Sequence, residues 1–171
     1  MIEPRQMPMP EEHEISADCI AGDWLIHQLK RGHRFSADDL LTAWLACELA
    51  PAGGPQLDLG AGVGSVGLMC LWRRGPEASL VMVEAQEVSH RLAKRSIAAN
   101  GLEGRVEARL GDLRDPASVP ERRHFPLVTG SPPYIPVGRG VISPHPQRAA
   151  CRMELRGDIG DYAATAARAL A

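Results

Sequence analysis

Lysine is nearly missing from this chain of 171 residues, with only Lys30 and Lys94 among 19 basic side chains. Aromatic residues amount to 4%. No stretch approaches the roughly 18 consecutive apolar residues a membrane helix needs. The start, Met1-Ile2-Glu3-Pro4-Arg5, lacks the basic-then-apolar order of a secretory signal. Cys19, Cys47, Cys70 and Cys151 form no C-x-x-C pair, and the six histidines include no H-E-x-x-H. These gaps exclude a membrane protein, a disulfide miniprotein and the common zinc motifs. No metal is expected, and separate thiols fit a reduced, cytoplasmic setting.

What is present fits one soluble globular domain. Hydrophobic residues make up 44% and charged residues 23%, and about 100–200 residues is the usual size of a domain. The net charge of −2 is uneven. Residues 1–26 carry Glu3, Glu11, Glu12, Glu14, Asp18 and Asp23 against Arg5. Segment 136–156 carries Arg139, Arg148, Arg152 and Arg156 against Glu154 alone. That modest basic patch is compatible with nucleic acid and equally with an ordinary solvated loop.

Residues 1–22 read as a flexible acidic segment. Asp23–Leu29 and His33–Phe35 flank Lys30-Arg31-Gly32 and predict a β-hairpin. Ser36 caps the next helix, with Asp39 in capping-box spacing. Leu40, Leu41, Trp44, Leu45 and Leu49 recur at helical spacing and predict its apolar face. Residues 23–50 would then cover a core formed by 51–171. In that core, strands are expected at 56–59, 79–84, 105–110 and 125–129, with helices at 66–72 and 88–99 and a last one from Asp158 or Asp161 onward. Strand–helix alternation predicts an α/β fold with a parallel sheet.

Asp58-Leu59-Gly60-Ala61-Gly62-Val63-Gly64 follows a strand and opens a helix. No lysine follows, which excludes a Walker loop. Gly62, Gly64 and Gly67 with Glu84 fit a dinucleotide fingerprint. S-adenosylmethionine fits as well, because Asp58 can receive its ammonium and would repel a pyrophosphate. Glu84, at the end of the second strand, can accept from both ribose hydroxyls. Asp112 can accept from an adenine amine while the Leu113 N–H donates to a ring nitrogen. Carboxyl ends of strands are where open α/β sheets bind ligands.

Ser131-Pro132-Pro133-Tyr134 ends the fourth strand. Two prolines stiffen the turn and fix a hydroxyl, a carbonyl and an aromatic ring in one corner. Ser131 Oγ and the Pro132 carbonyl can accept both N–H bonds of a planar amine, and Tyr134 can stack on a flat substrate. Catalysis there would rest on positioning rather than on a strong base.

The glycine loop with Ser131-Pro132-Pro133-Tyr134 resembles class I S-adenosylmethionine-dependent methyltransferases of the amino-methylating group. Ile26-His27-Gln28-x-x-x-Gly32-x-Arg34-Phe35-Ser36-x-Asp38 and Ser143-Pro144-His145-Pro146-Gln147-Arg148-Ala149 are similar to the bacterial tRNA adenine-N6 methyltransferases acting next to the anticodon. The resemblance runs from about residue 24 to the end. It implies a Rossmann-like sheet, S-adenosylmethionine as cofactor and tRNA as partner. It implies cofactor contacts from Asp58, Gly60, Ala61, Gly62, Gly64, Glu84, Ala85, Asp112, Leu113 and Ser131. Arg34, Phe35 and Asp38 match an N-terminal signature covering the cofactor. Ser131 to Tyr134 would hold the target base, with Arg139 and Arg148 as further RNA contacts.

One departure is clear, since the family usually has Asn where this chain has Ser131. Serine there also resembles cytosine-N4 methyltransferases. A protein-glutamine N5-methyltransferase, which would use the same corner on an amide, and a cofactor-binding remnant without activity are the alternatives. The resembled sheet continues beyond four strands, so a C-terminally shortened chain, or an oligomer covering the fourth-strand edge, is expected.

Overall fold

The structure, a computed structural model, describes residues 8–171. The first seven residues of the expected flexible segment lie outside the described residues. A 3-10 turn, Glu12–Glu14, leads into β1 (Ile15–Ala21), β2 (Trp24–Leu29) and α1 (Ala37–Leu49). Then follow β3 (Gly54–Leu59), α2 (Ser65–Arg74), β4 (Ala78–Glu84), α3 (Glu87–Ala99) and β5 (Val106–Leu110). β6 (Leu127–Gly130), α4 (Pro146–Arg152) and α5 (Ile159–Ala169) complete the chain. No helix of the described residues is long and apolar enough to cross a membrane.

Four strands form one parallel sheet in the order β5-β4-β3-β6. β4 shows why both faces are covered. Leu80 and Met82 pack with Leu68, Leu71, Ala93 and Ile97, whereas Val81 and Val83 pack with Leu113, Val119 and Phe125. Successive side chains point to opposite faces, so an unbroken apolar strand needs a partner layer on each. β6 is the last strand on its side. Just before β6 the outer edge meets the C-terminal segment: Leu170 pairs in parallel with Phe125, the Ala171 N–H donates to the Phe125 carbonyl at 2.9 Å, and the His124 N–H donates to the Ala169 carbonyl at 3.0 Å.

The hairpin differs from the expectation. β2 pairs antiparallel with β1, around Gly22-Asp23, rather than with residues 33–35. The segment expected to fray thus supplies a strand. Tertiary bonds fix its position. Asn100, the C-cap of α3, donates to the Leu25 carbonyl and accepts from the Leu25 N–H, both at 2.8 Å, and Ser96 Oγ accepts from the His27 N–H at 2.8 Å.

The cap of α1 agrees with its sequence: Ser36 and Asp39 form a reciprocal capping box. Its apolar face does not. Ala43 is its sole fully buried residue, and Ala43, Ala46, Cys47 and Ala50 pack against Val66, Met69 and Cys70 of α2. Leu40, Leu41, Trp44, Leu45 and Leu49 face outward, with Leu49 at 79% exposure. Small side chains let the two helices approach closely, so the helix turns its bulky stripe away from the core.

These placements set a contrast in stability. Leu57 on central β3 is fully buried, while Leu45 on α1 is half exposed. Leu57→Ala is expected to cost about 2–5 kcal/mol, and Leu45→Ala less than about 1 kcal/mol, in urea unfolding of each variant.

Candidate cofactor cleft and Ser131 corner

The carboxyl ends of β3, β4, β5 and β6 open into one cleft, which encloses ≈ 930 Å³ including its mouth. Of the expected residues, the cleft is lined by Arg34, Phe35, Asp58, Gly60, Ala61, Gly62, Glu84, Ala85, Asp112, Leu113, Ser131 and Pro133.

The two deepest carboxylates are already engaged with the backbone. Asp58 Oδ2 accepts from the Gly67 N–H of α2 at 3.1 Å, and Oδ1 accepts from the Thr129 hydroxyl of β6 at 2.8 Å. Glu84 accepts from the Gly62 N–H at 2.8 Å and the Gln86 N–H at 2.7 Å. Burial pushes the Asp58 carboxyl up to about 6 and raises Glu84 as well, in spite of these donors. The consequence for ligand choice is direct. A pyrophosphate site needs free N–H groups at the glycine loop and helix start. Here carboxylates occupy the Gly62 and Gly67 N–H groups. The donor set favours a ligand rich in hydroxyls and positive charge, which fits S-adenosylmethionine and argues against a dinucleotide.

Asp112 sits at the far end, beyond β5, and Arg114 Nη2 donates to it at 2.6 Å. That hydrogen bond holds its carboxyl below the ordinary range. Arg156 also lines the cleft, and its Nη1 is buried with no hydrogen-bond partner. An orphaned buried donor beside Glu84 and Asp112 is a place for a ligand acceptor atom. Asp112, Glu84 and Asp58 thus form a row along the strand ends, with Ser131 on the β6 side.

Six expected site residues are not among the lining. Asp38 is exposed, and Asp39, one residue on, lines the cleft instead. Burial raises the Asp39 carboxyl. Gly64 caps α2 at φ 91°, and a Cβ there would meet Met82 Cε at 2.8 Å, so its role is in the turn and its packing. Pro132 and Tyr134 flank the lining residues, and Tyr134 is 70% exposed. Arg139 is exposed on the following loop. Arg148 is used internally, donating to the Arg31 and Gly32 carbonyls at 2.9 and 3.1 Å. Arg34 reaches the cleft, but its guanidinium is held by Asp18 and Ser16 of β1 at 3.0 and 2.8 Å.

The two signature segments meet each other at the cleft rim. Gln147 Oε1 accepts from the His33 N–H at 3.0 Å, and its Nε2 donates to Ser89 Oγ of α3 at 3.0 Å. A Cβ on Gly32 would stand 2.1 Å from Gln147 Oε1, so glycine is required by close approach. Gln28 is buried, donating to Asp18 and accepting from the Phe35 N–H. These residues hold the rim rather than a ligand. Asp39, Gln147, Arg156 and Tyr162 line the cleft but were not among the site residues expected from sequence, where Asp39 stood as a helix cap, Gln147 in a signature segment and Arg156 in the basic patch. Tyr162 sits inside an alanine-rich helix, where only its size could have marked it.

An acid raised on folding favours the folded state while protonated. The Asp58 contribution is therefore full below 3.8, the unfolded value, and is lost as the pH rises through about 6. Relative to wild type, Asp58→Asn should gain about 1–2 kcal/mol of unfolding free energy between about pH 5 and pH 8, read by urea unfolding across that range. A flat difference would contradict the burial of an ionisable carboxyl there.

Comparison with known proteins agrees with this geometry. The family model described as "Methyltransferase small domain" matches residues 33–140, more than half of the chain. A ribosomal RNA small subunit methyltransferase C from Stutzerimonas stutzeri is 37% identical over 82 residues, covering 48% of this chain and 23% of the relative. Its counterpart from Aeromonas hydrophila is 35% identical over 92 residues, covering 53% and 27%. The matched region thus spans about a quarter of the length of these relatives. Among solved structures, Pyrococcus horikoshii TYW2 in complex with MeSAdo superposes with a TM-score of 0.54 at 18% identity, over 66% of this chain and 40% of that one. A protein from Methanococcus maripaludis, described as a "putative s-adenosyl-l-methionine-dependent methyltransferase", gives 0.53 at 16% identity, over 77% and 50%. At such identities these two neighbours speak for the fold alone. The chain belongs to the methyltransferase small domain family, within the S-adenosylmethionine-dependent methyltransferases its sequence resembles.

Proposed function

We propose that this protein transfers a methyl group to the exocyclic N6 amine of an adenine in tRNA. The observation that carries the reading is the adjacency of two sites. Ser131 and Pro133 line the same cleft as Asp58, Gly60 and Glu84, so a cofactor pocket and an amine-binding corner share one wall.

The division of labour follows from the geometry. Asp112 and Leu113 would hold the adenine of the cofactor, Glu84 its ribose, and Asp58 with Gly60 its methionine end. When bound, S-adenosylmethionine supplies a sulfonium-activated methyl group. Ser131 Oγ and the Pro132 carbonyl would accept the two N–H bonds of the target amine and turn its lone pair toward the cleft. Ser131 is exposed, and so is Tyr134 beside it. A base entering from solvent can therefore reach the hydroxyl and stack on the ring. No strong base is required, because the amine loses its proton after the new bond forms.

Support for an RNA substrate comes from the two relatives named as ribosomal RNA methyltransferases. Their names also favour a second reading, a base amine in ribosomal RNA. The exposed Arg139 and Arg152 are the remaining candidates for phosphate contact, since Arg148 is committed to the backbone.

The test is methyl transfer from labelled cofactor to total tRNA, ribosomal RNA and total protein, followed by nucleoside mapping. N6-methyladenosine in tRNA is the expected product. Label in protein alone would overturn the reading, and label confined to ribosomal RNA would select the second one. Ser131→Ala should lower turnover by at least about tenfold while cofactor affinity stays within about twofold, since the hydroxyl it removes is the proposed acceptor for the reacting amine and at most one of many cofactor contacts. Glu84→Ala should do the reverse, weakening cofactor binding first.

A further inference from the structure

Tyr162 lies where the cofactor loop and the Ser131 corner come together. It projects from α5, which is held by the Asp158 capping box and by the Thr165 hydroxyl donating to the Leu113 carbonyl at 3.0 Å. Its ring touches two backbones at once. A Cβ on Gly60 would stand 2.0 Å from Tyr162 Oη, and a Cβ on Gly130 would stand 2.9 Å from Cδ1. Gly60 follows β3 directly, Gly130 ends β6, and Leu59 is the register partner of Gly130. One phenol therefore spans the gap between the loop expected to hold the cofactor and the residue preceding Ser131. It also lines the cleft.

Position decides what this hydroxyl faces. In the reading above, Asp112 and Glu84 serve the adenosine end, and Asp58 with Gly60 the methionine end. The transferable methyl must lie between Gly60 and Ser131, and Tyr162 occupies that interval. Burial first, then the nearby Glu84 and Asp58 charges, keep the phenol protonated. A neutral hydroxyl there presents oxygen lone pairs to a positive centre without the desolvation cost of another buried carboxylate. The hydroxyl end of the ring lies against Gly60 and its Cδ1–Cε1 edge against Gly130.

We infer that Tyr162 Oη contacts the charged sulfonium end of the cofactor and makes the cleft prefer the methylated donor over its demethylated product. The inference rests on the proposed cofactor reading and deepens it. S-adenosylmethionine and S-adenosylhomocysteine share adenosine, carboxylate and ammonium. They differ only in the methyl group and the positive charge on sulfur. A residue that merely props up the loop would affect both ligands alike. A residue that recognises the positive centre would affect one.

The experiment is calorimetric titration of wild type and Tyr162→Phe with each ligand. Phenylalanine keeps the ring against Gly60 and Gly130, so the fold is retained and thermal unfolding checks it. The expected result is a loss of about three- to tenfold in affinity for S-adenosylmethionine, with S-adenosylhomocysteine within about twofold, as befits one hydrogen-bond-scale contact to a charged group. Tyr162→Leu, which removes the ring, should weaken both ligands. Equal weakening of both ligands by Tyr162→Phe, or no change in either, would overturn the inference while leaving the cofactor reading intact. If wild type binds neither ligand, both fall.

Discussion

The buried carboxylate of Asp58 is the constraint on which the site depends. It stands one residue before the end of β3, the strand that pairs with both β4 and β6, and it bonds to α2 through the Gly67 N–H and to β6 through the Thr129 hydroxyl. Three elements that carry the glycine loop, the helix start and the Ser131 corner are thereby tied to one charged group. Burying an ionisable carboxyl costs free energy, and its elevated pKa records that cost. The fold maintains the strain at the point where a positively charged ligand would relieve it.

Glu84 repeats the device one strand away. Its oxygens accept from Gly62 and Gln86, so the loop is held in shape by the acid expected to hold the ribose. The same bonds remove the N–H groups a pyrophosphate would require. Cofactor discrimination in this cleft is therefore a matter of which backbone donors are already satisfied, and the glycine pattern alone does not reveal it.

Around this centre the chain builds a rim from distant segments. Gln147 joins the His33 loop to α3, Arg148 joins α4 to the turn at residues 31–32, and Asn100 clamps the hairpin onto α3. Polar residues that look like ligand contacts in a motif serve here as fasteners. Arg34 belongs with them, since its charge is met by Asp18 of β1. β1 is thus part of the cleft wall's support, which is why an acidic, weakly patterned segment becomes a strand.

The alternation of strands and helices was legible because central β3 and β4 are buried on both faces and α1, α2 and α3 carry their own stops. Ser36 and Asp39 capping α1, Gly64 opening α2 and Asn100-Gly101 closing α3 are local chemistry, and local chemistry is written in neighbours. The Asp58 loop, Glu84, Asp112 and Ser131 were legible for the same reason: each stands at a strand's carboxyl end, and a parallel sheet brings those ends together. What neighbours cannot encode is which face of a helix finds a partner. α1 turned its alanines inward against α2, left its leucines outside and brought Asp39 rather than Asp38 to the cleft. Nor could spacing show that Tyr162, about a hundred residues after Gly60, would lie against it. Such contacts depend on how α5 docks on the sheet, and only the tertiary structure decided that.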